Sequence, residues 1–196
     1  MGNAVSNRKE FQEVLKSTKR KGTEQFLEWL NTTDFYTAPA STRFHGAYEG
    51  GLLDHTLNVY RESVRIYASN LFTTLEIPMN SVILCSLLHD VCKIHCYRTE
   101  LRWTKQDNKW VQIPQYVWDE REPFGGHGSK SVYIAQRFFD LNPQEAAAIN
   151  AHMGAYDNPN VNKVYEANKL AWLIHIADEY ASMYVDGCEK VGENSE

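Results

Sequence analysis

Histidine and aspartate side chains set in apolar stretches are the groups of this sequence best suited to chemistry. His89 and Asp90 stand together in the apolar run from Val82 to Ile94, which predicts a buried helix. Asp178 ends a second apolar run, and His55 follows two glycines and two leucines closely. A buried carboxylate is costly unless it is paired or binds a metal. Because imidazole nitrogen and carboxylate oxygen together suit divalent Zn, Mn, Fe or Ni, these residues indicate a metal site.

The order of these residues resembles the H…HD…D pattern of the HD-domain phosphohydrolases. The segments that carry the resemblance are GGLLDHT around His55, LLHDVCK around His89 and Asp90, and IHIADEY around Asp178. The resemblance covers about residues 40–185 and implies an all-α fold, an HD-domain helical bundle. It also implies that the four side chains hold a divalent ion and that the protein hydrolyses phosphate esters or anhydrides. The structural alternative is that they are core histidines and helix-capping aspartates.

Lys93 extends the doublet to an HDxxK pattern. Residues three apart share a helix face, so Lys93 is expected beside Asp90. The resemblance implies that this lysine contacts the substrate phosphate, and a point charge on phosphate makes physical sense. The alternative is a solvated lysine or a lysine that serves the C-terminal end of the helix. Asp90 and Lys93 are therefore the candidate catalytic residues.

His127 and His152 lie in order between the doublet and Asp178. In HD proteins with extra histidines in this interval, the resemblance implies a second metal ion, with Asp90 bridging the two ions. The sequence departs from the richest pattern, because Met153 follows His152 where another histidine is expected. The cofactor is therefore one or two divalent ions, chosen among Mn, Fe, Ni, Zn and Mg. The alternative for each histidine is that it caps a neighbouring helix.

Four further side chains have weaker functional claims. Arg43 and His45 precede His55 in an irregular, glycine-rich stretch, where they are candidates to contact the phosphate or base of a substrate. His175 comes three residues before Asp178, and we expect it to be a core or supporting residue. His95 follows the doublet and is expected near the base of the next element.

The elements that must position these groups are mostly helical. Residues 97–118 alternate apolar and polar side chains around a polar turn at 106–109, which predicts a β-hairpin inserted after the doublet helix. Asn142, Pro143 and Glu145 form a complete helix start. The hairpin is either a gate over the site, or a cover or dimer contact. Its aromatic residues either stack on a nucleobase or pair across the strands.

The spacing of apolar residues predicts helices over 8–21, 23–31, 52–69, 82–94, 129–140, 143 to 152 or 153, and about 165–185.

Composition limits the class of protein. The 196 residues carry 20 basic and 25 acidic side chains, a net charge of −5, which disfavours a protein that grips duplex nucleic acid. No run of 18 apolar residues predicts a membrane helix, and four cysteines without a CxxC pair favour a reducing, cytoplasmic setting. We expect a helical N-terminal extension packed on the core (1–39), the HD domain (40–186) and a flexible tail (187–196).

The sequence thus predicts a metal-dependent phosphohydrolase that acts on a nucleotide or short oligonucleotide by attack of a metal-bound hydroxide. The expected partner is a small phosphorylated substrate, a nucleotide or a short single-stranded oligonucleotide, with a homo-oligomer left open. Two other functions stay open: a di-iron oxygenase on the same scaffold, and an inactive nucleotide or phosphate sensor.

Overall fold

Apolar residues repeating every three or four positions produce the helices of the computed structural model, which describes residues 4–69 and 77–186. The predicted mostly helical fold with one inserted hairpin is confirmed. The described elements are α1 (Ala4–Ser17), α2 (Thr23–Leu30), α3 (Gly51–Ala68), α4 (Met79–Leu88), β1 (Tyr97–Gln106), β2 (Lys109–Trp118), α5 (His127–Gln136), α6 (Pro143–Ala151), α7 (Asn162–Ala167) and α8 (Lys169–Tyr180). The predicted tail, 187–196, lies outside the described residues.

The core forms around α4, whose residues from Ser81 to Leu88 are all buried. Helix α3 packs against α4 and α8, and α6 packs against α5 and α8. Phe11 of α1 and Phe26 of α2 are fully buried in the same apolar cluster as Leu84. The two N-terminal helices therefore share their core with the rest of the molecule, while the domain boundary at residue 40 stays a prediction.

Helix α4 ends at Leu88, so the prediction of a helix through Ile94 is wrong. The Nδ1 atom of His89 lies 2.7 Å from the carbonyl oxygen of Ser86, a side-chain bond that competes with helical hydrogen bonding. Asp90 then leaves the helical conformation (φ −110°, ψ 15°), and a 3-10 turn follows from Val91 to Lys93. The doublet thus stands at the end of a buried helix instead of in its middle.

The predicted helix over 165–185 is divided in two at Asn168, which has an extended backbone. Its side chain accepts hydrogen bonds from the backbone N–H groups of Leu170 and Ala171 and so caps α8. A π-helical turn from Ala181 to Val185 extends α8. The predicted helix over 8–21 is also displaced: α1 begins at Ala4 and ends at Ser17.

The hairpin is confirmed over residues 97–118. Its arms pair in register from Tyr97 with Trp118 to Gln106 with Lys109. Asp107 and Asn108 both have positive φ, 49° and 61°, as a two-residue turn of type I′ requires. No helix among the described residues has the length and apolar character that a membrane crossing requires.

Candidate metal centre

Four helices bring the predicted metal ligands to one buried place. His55 comes from the first turns of α3, His89 and Asp90 follow the end of α4, and Asp178 lies in α8. All four are buried. The same place receives His152, which follows α6 directly and is fully buried.

The ligand atoms of His89, Asp90 and Asp178 all lie close to Nε2 of His55. The Nε2 atom of His55 is 3.3 Å from Oδ2 of Asp90 and 3.2 Å from Oδ1 of Asp178. The Nε2 atom of His89 is 3.2 Å from that of His55 and 3.4 Å from Oδ2 of Asp90. Two imidazole nitrogens and two carboxylate oxygens on separate elements therefore converge on one point, a donor set suited to a divalent cation.

Hydrogen bonds on the far side of each ring orient these imidazoles. His89 and His152 each donate Nδ1–H to the backbone carbonyl three residues earlier, at 2.7 Å, because a carbonyl oxygen can only accept. The Nδ1 atom of His55 lies 2.7 Å from Oδ2 of Asp186. With Nδ1 carrying the proton, Nε2 of each ring points into the cluster, the orientation found in metal-binding histidines. Burial alone would lower the pKa of His55, but the carboxylates of Asp178, Asp186 and Asp90 raise it well above its usual value.

A second set of buried polar atoms has no hydrogen-bond partner. Among the described residues these include Oδ1 of Asp90, Nε2 of His152 and Nδ1 of His127. The first two lie 3.4 Å apart. Buried polar atoms are rarely left unpaired, and a cation bound between Asp90 and His152 would satisfy both of theirs. The residues therefore fit one divalent ion and offer further ligand atoms for a second.

Helix α5 positions His127 at its first residue. The backbone N–H of His127 donates to Oδ2 of Asp157 at 2.9 Å, which fixes the start of the helix. The imidazole ring stacks on Trp118 of β2, with ring centroids 5.1 Å apart. Burial lowers the pKa of His127, so the ring is neutral and keeps a lone pair for a ligand.

Lys93 contacts Asp90 directly. Its Nζ atom lies 2.7 Å from Oδ2 of Asp90, and both side chains are buried. Burial alone would raise the pKa of Asp90, but Lys93 and His89 hold it well below its usual range. Burial alone would lower the pKa of Lys93, but Asp90 raises it. A charged ammonium group therefore stands at the cluster and is not solvated, while its place at the end of the 3-10 turn from Val91 to Lys93 leaves the helix-end alternative open.

Asp186 is a functional candidate that the sequence analysis missed. Its Oδ1 atom accepts a hydrogen bond of 2.8 Å from Asn58 while Oδ2 faces Nδ1 of His55. Burial raises the pKa of Asp186, but His55 and Asn58 lower it below its usual range. The sequence gives little signal for it, because the π-helical turn from Ala181 to Val185 separates Asp186 from the regular spacing of α8.

Of the candidates with weaker support, His45 and His175 lie beside the cluster and Arg43 does not contact it. The ring of His45 lies 4.8 Å from that of His55, and burial lowers its pKa to about 4. Arg43 is exposed over the ring of Phe44, and no hydrogen bond or ion pair joins it to the cluster in the described part of the chain. His175 donates Nδ1–H to the carbonyl of His152 at 2.7 Å, so it supports the cluster from behind.

His95 is the remaining histidine. It lies outside the cluster, 3.3 Å from the carboxylate of Asp34 and largely exposed. Its backbone N–H also donates to Asp34, which ties the start of the hairpin to the loop after α2.

The comparison with known families agrees with this geometry. The model of the HD domain family matches residues 52–183, about two thirds of the chain, and that range contains the whole H…HD…D set. The chain belongs to the HD domain family.

A curated relative is the dihydroneopterin 2′,3′-cyclic phosphate phosphodiesterase of Methanocaldococcus jannaschii. It is 27% identical over 157 residues, which are 79% of this chain and 55% of the relative. This chain thus spans about half the length of that relative. No solved structure matches the chain significantly.

Proposed function

We propose that this chain is a divalent-metal-dependent phosphohydrolase that acts on a phosphate ester or anhydride of a nucleotide or short oligonucleotide. The observation that carries the proposal is the convergence of two imidazole Nε2 atoms and two carboxylates, with each ring fixed from behind. The phosphodiesterase name of the relative supports a phosphate ester as the bond that is cleaved. Burial of the three free cysteines among the described residues favours a cytoplasmic protein.

The residues divide between two ion positions. His55, His89, Asp90 and Asp178 are the proposed ligands of the first ion. His127 and His152, together with Asp90, would hold a second. A divalent ion supplies Lewis acidity toward the phosphoryl group and lowers the pKa of a bound water.

The other side chains of the site bind and orient the phosphate. The ammonium of Lys93 stands beside Asp90, where it stabilises negative charge that develops on phosphoryl oxygens. His45, neutral at physiological pH, lies on the other side of His55 and is the proposed contact to the substrate from the preceding loop. Arg43 needs a different side-chain conformation to reach the same place.

Metal analysis followed by a phosphate-release assay tests the proposal. The purified protein is loaded with Mn, Fe, Ni, Zn or Mg in turn, and release is measured from mononucleotides, cyclic nucleotides and short RNA. Asp90→Ala should lose both bound metal and turnover while its helical circular dichroism persists. Asp54→Ala is the matched control, because Asp54 lies next to His55 but bonds Asn7 and Tyr48.

The outcomes separate the functions. Full metal content with normal turnover in Asp90→Ala would contradict the proposed site. Tight nucleotide binding without turnover in the loaded protein would indicate a sensor, and consumption of O₂ by the iron form would indicate an oxygenase.

A further inference from the structure

The two faces of the hairpin differ sharply in chemistry. Paired residues lie side by side on one face of a two-stranded sheet, so the odd-numbered residues of β1 share a face with the even-numbered residues of β2. This aromatic face carries five aromatic side chains, one lysine and no carboxylate. The aromatic side chains are Tyr97, Trp103, Trp110, Tyr116 and Trp118.

The outer part of the aromatic face is open to solvent. Trp103 is 63% exposed, Trp110 66% and Leu101 64%, which is unusual for large apolar side chains. Trp103 and Trp110 are diagonal neighbours across the two strands, with Cα atoms about 7 Å apart. The ring contacts of the described residues do not join them. Both indole faces are therefore free to stack on a flat ligand.

The inner end of the same face reaches the candidate metal centre. The ring of Trp118 stacks on His127, and Tyr97 meets Trp118 edge to face at 5.2 Å. The hydroxyl of Tyr97 donates to the carbonyl of Ala40, which fixes this end to the loop before α3. A ligand that lies along the face for about 30 Å therefore ends beside the proposed ligand His127.

Charge selects the kind of ligand. Residues 97–118 hold four basic and two acidic side chains, of which Arg98 and Arg102 lie on the opposite face and form ion pairs with Glu100. The one charged side chain of the aromatic face is Lys105, directly opposite Trp110. Aromatic platforms accompanied by positive charge and free of carboxylates suit unstacked bases on a phosphate backbone.

We infer that the aromatic face of the hairpin binds a single-stranded nucleic acid and leads its end to the metal centre. The bases stack on Trp110 and Trp103, and Lys105 contacts a phosphate. This inference rests on the proposed function for what happens at the metal centre, but strand binding itself needs no turnover.

Binding in the presence of EDTA separates the two proposals. Fluorescence anisotropy of a labelled oligouridylate long enough to span the arm gives the Kd, and an oligothymidylate separates RNA from DNA. Trp103→Ala and Trp110→Ala should each raise the Kd at least about five-fold, the loss of one stacked base. Trp110→Tyr keeps a stacking ring and should restore most of the affinity.

Tyr156→Ala is the matched control, since Tyr156 is 83% exposed and lies outside the hairpin. Its Kd should equal that of the unmodified protein, and a duplex of the same length should bind more weakly. Circular dichroism and the unfolding temperature of each variant check that the hairpin persists.

Three results would overturn the inference. One is no binding of either oligonucleotide by the unmodified protein. Another is an equal Kd for the unmodified protein and the two alanine variants. The third is a change in molecular mass on light scattering in those variants without a change in Kd, which would assign the face to self-association. Phosphate release with metal restored tests the proposed function separately.

Discussion

At the scale of single residues, His55 faces two different groups with its two nitrogens. Nε2 points at Asp90 and Asp178, and Nδ1 at the buried carboxylate of Asp186. A carboxylate behind a ligating histidine fixes the tautomer and increases the basicity of the nitrogen that binds the metal. Asp186 is therefore a positioning residue for the proposed first ion.

Replacing Asp186 tests this role. Asp186→Asn keeps an oxygen that accepts from Nδ1 but removes the charge, and Asp186→Ala removes both. We expect metal affinity to fall about 10- to 100-fold, with the larger loss in the alanine variant. Hydrogen-bond partners of a metal-binding histidine have effects of this size. Titration against a competing chelator at fixed pH measures the affinity.

Asp54→Asn is the control for the loss of one negative charge on or near α3. It should leave metal affinity unchanged, since Asp54 bonds Asn7 and Tyr48 and not His55. Equal affinities in Asp186→Ala and the unmodified protein would show that Asp186 serves packing alone.

The unpaired atoms of His127 and His152 lead to a second residue-scale prediction. Replacing either by Ala should reduce bound metal toward one ion per chain and leave the first ion in place. The reason is that Nε2 of His152 lies 3.4 Å from Oδ1 of Asp90, while His55 faces Oδ2, and that Nδ1 of His127 is buried without a hydrogen-bond partner. Elemental analysis of the loaded protein gives the stoichiometry. Two ions retained in the double variant would assign both histidines to structural roles.

Much of the cluster could be predicted from the sequence because its members carry local signals. His55, His89 and Asp178 are polar residues in apolar helical contexts, and the structure brings them together as the pattern indicates. Their role as ligands stays a prediction. Asp186 has no apolar context, and the π-helical turn that precedes it does not follow from residue periodicity.

At the scale of elements, the ends of helices decide where the chemistry stands. The start of α6 was predictable, because Asn142 and Glu145 form a capping box and Pro143 occupies the first turn. The end of α4 was not, because its apolar run continues to Ile94 without glycine or proline. The helix ends where the His89 side chain bonds the carbonyl of Ser86, a contact that periodicity does not encode.

Glu145 connects three elements and lies at the start of the helix that positions His152. It is fully buried and accepts hydrogen bonds of 2.7 Å from both Arg20 and Ser81. Burial alone would raise the pKa of Glu145, but these bonds hold it below its usual value. The carboxylate form therefore stabilises the folded state.

Glu145→Gln should lower the free energy of unfolding at pH 7 by about 1–3 kcal/mol, the usual contribution of a charged hydrogen bond. Because the folded pKa lies below the unfolded value of about 4.3, this contribution is complete above that value. It is lost as the pH falls through the folded pKa, so the difference between variant and unmodified protein should shrink in acid. Urea unfolding across this range measures it.

Glu24→Gln is the control for Glu145. Glu24 pairs with Lys16 at 3.2 Å, but both side chains are at least half exposed, and such pairs contribute little. Its unfolding free energy should change by less than about 0.5 kcal/mol at every pH. Equal effects of the two substitutions would contradict the role of Glu145 as a buried connection.

At the scale of the whole molecule, the helical body and the hairpin are stabilised differently. The body has a continuous core that includes Phe11 and Leu15 of α1. Within the described residues, the arms of the hairpin pair with each other, and Val117 near the base is its buried apolar residue. The sequence predicted the hairpin but left its purpose open, because alternation fixes pairing and not what the exposed face binds.

Shortening the hairpin separates the four purposes considered for it: strand binding, a gate, a dimer contact and a cover of the helical body. Replacing residues 101–114 by Asn-Gly leaves Glu100 paired with Gln115 and keeps Tyr97 and Trp118 at the base. We expect unchanged metal content and an unchanged unfolding temperature, because the arms that are removed pair with each other. The KM for an oligouridylate should rise more than the KM for a mononucleotide, since only the longer substrate reaches the lost stacking surface.

A gate would give a different result from the same variant. Loss of a gate exposes the reacting phosphate to water whatever the substrate length, so both KM values would rise together. A dimer contact would change the molecular mass measured by light scattering. Lower stability or lost metal would show that the arms support the helical body. Either that outcome or an equal rise of both KM values would contradict strand binding as the purpose of the hairpin.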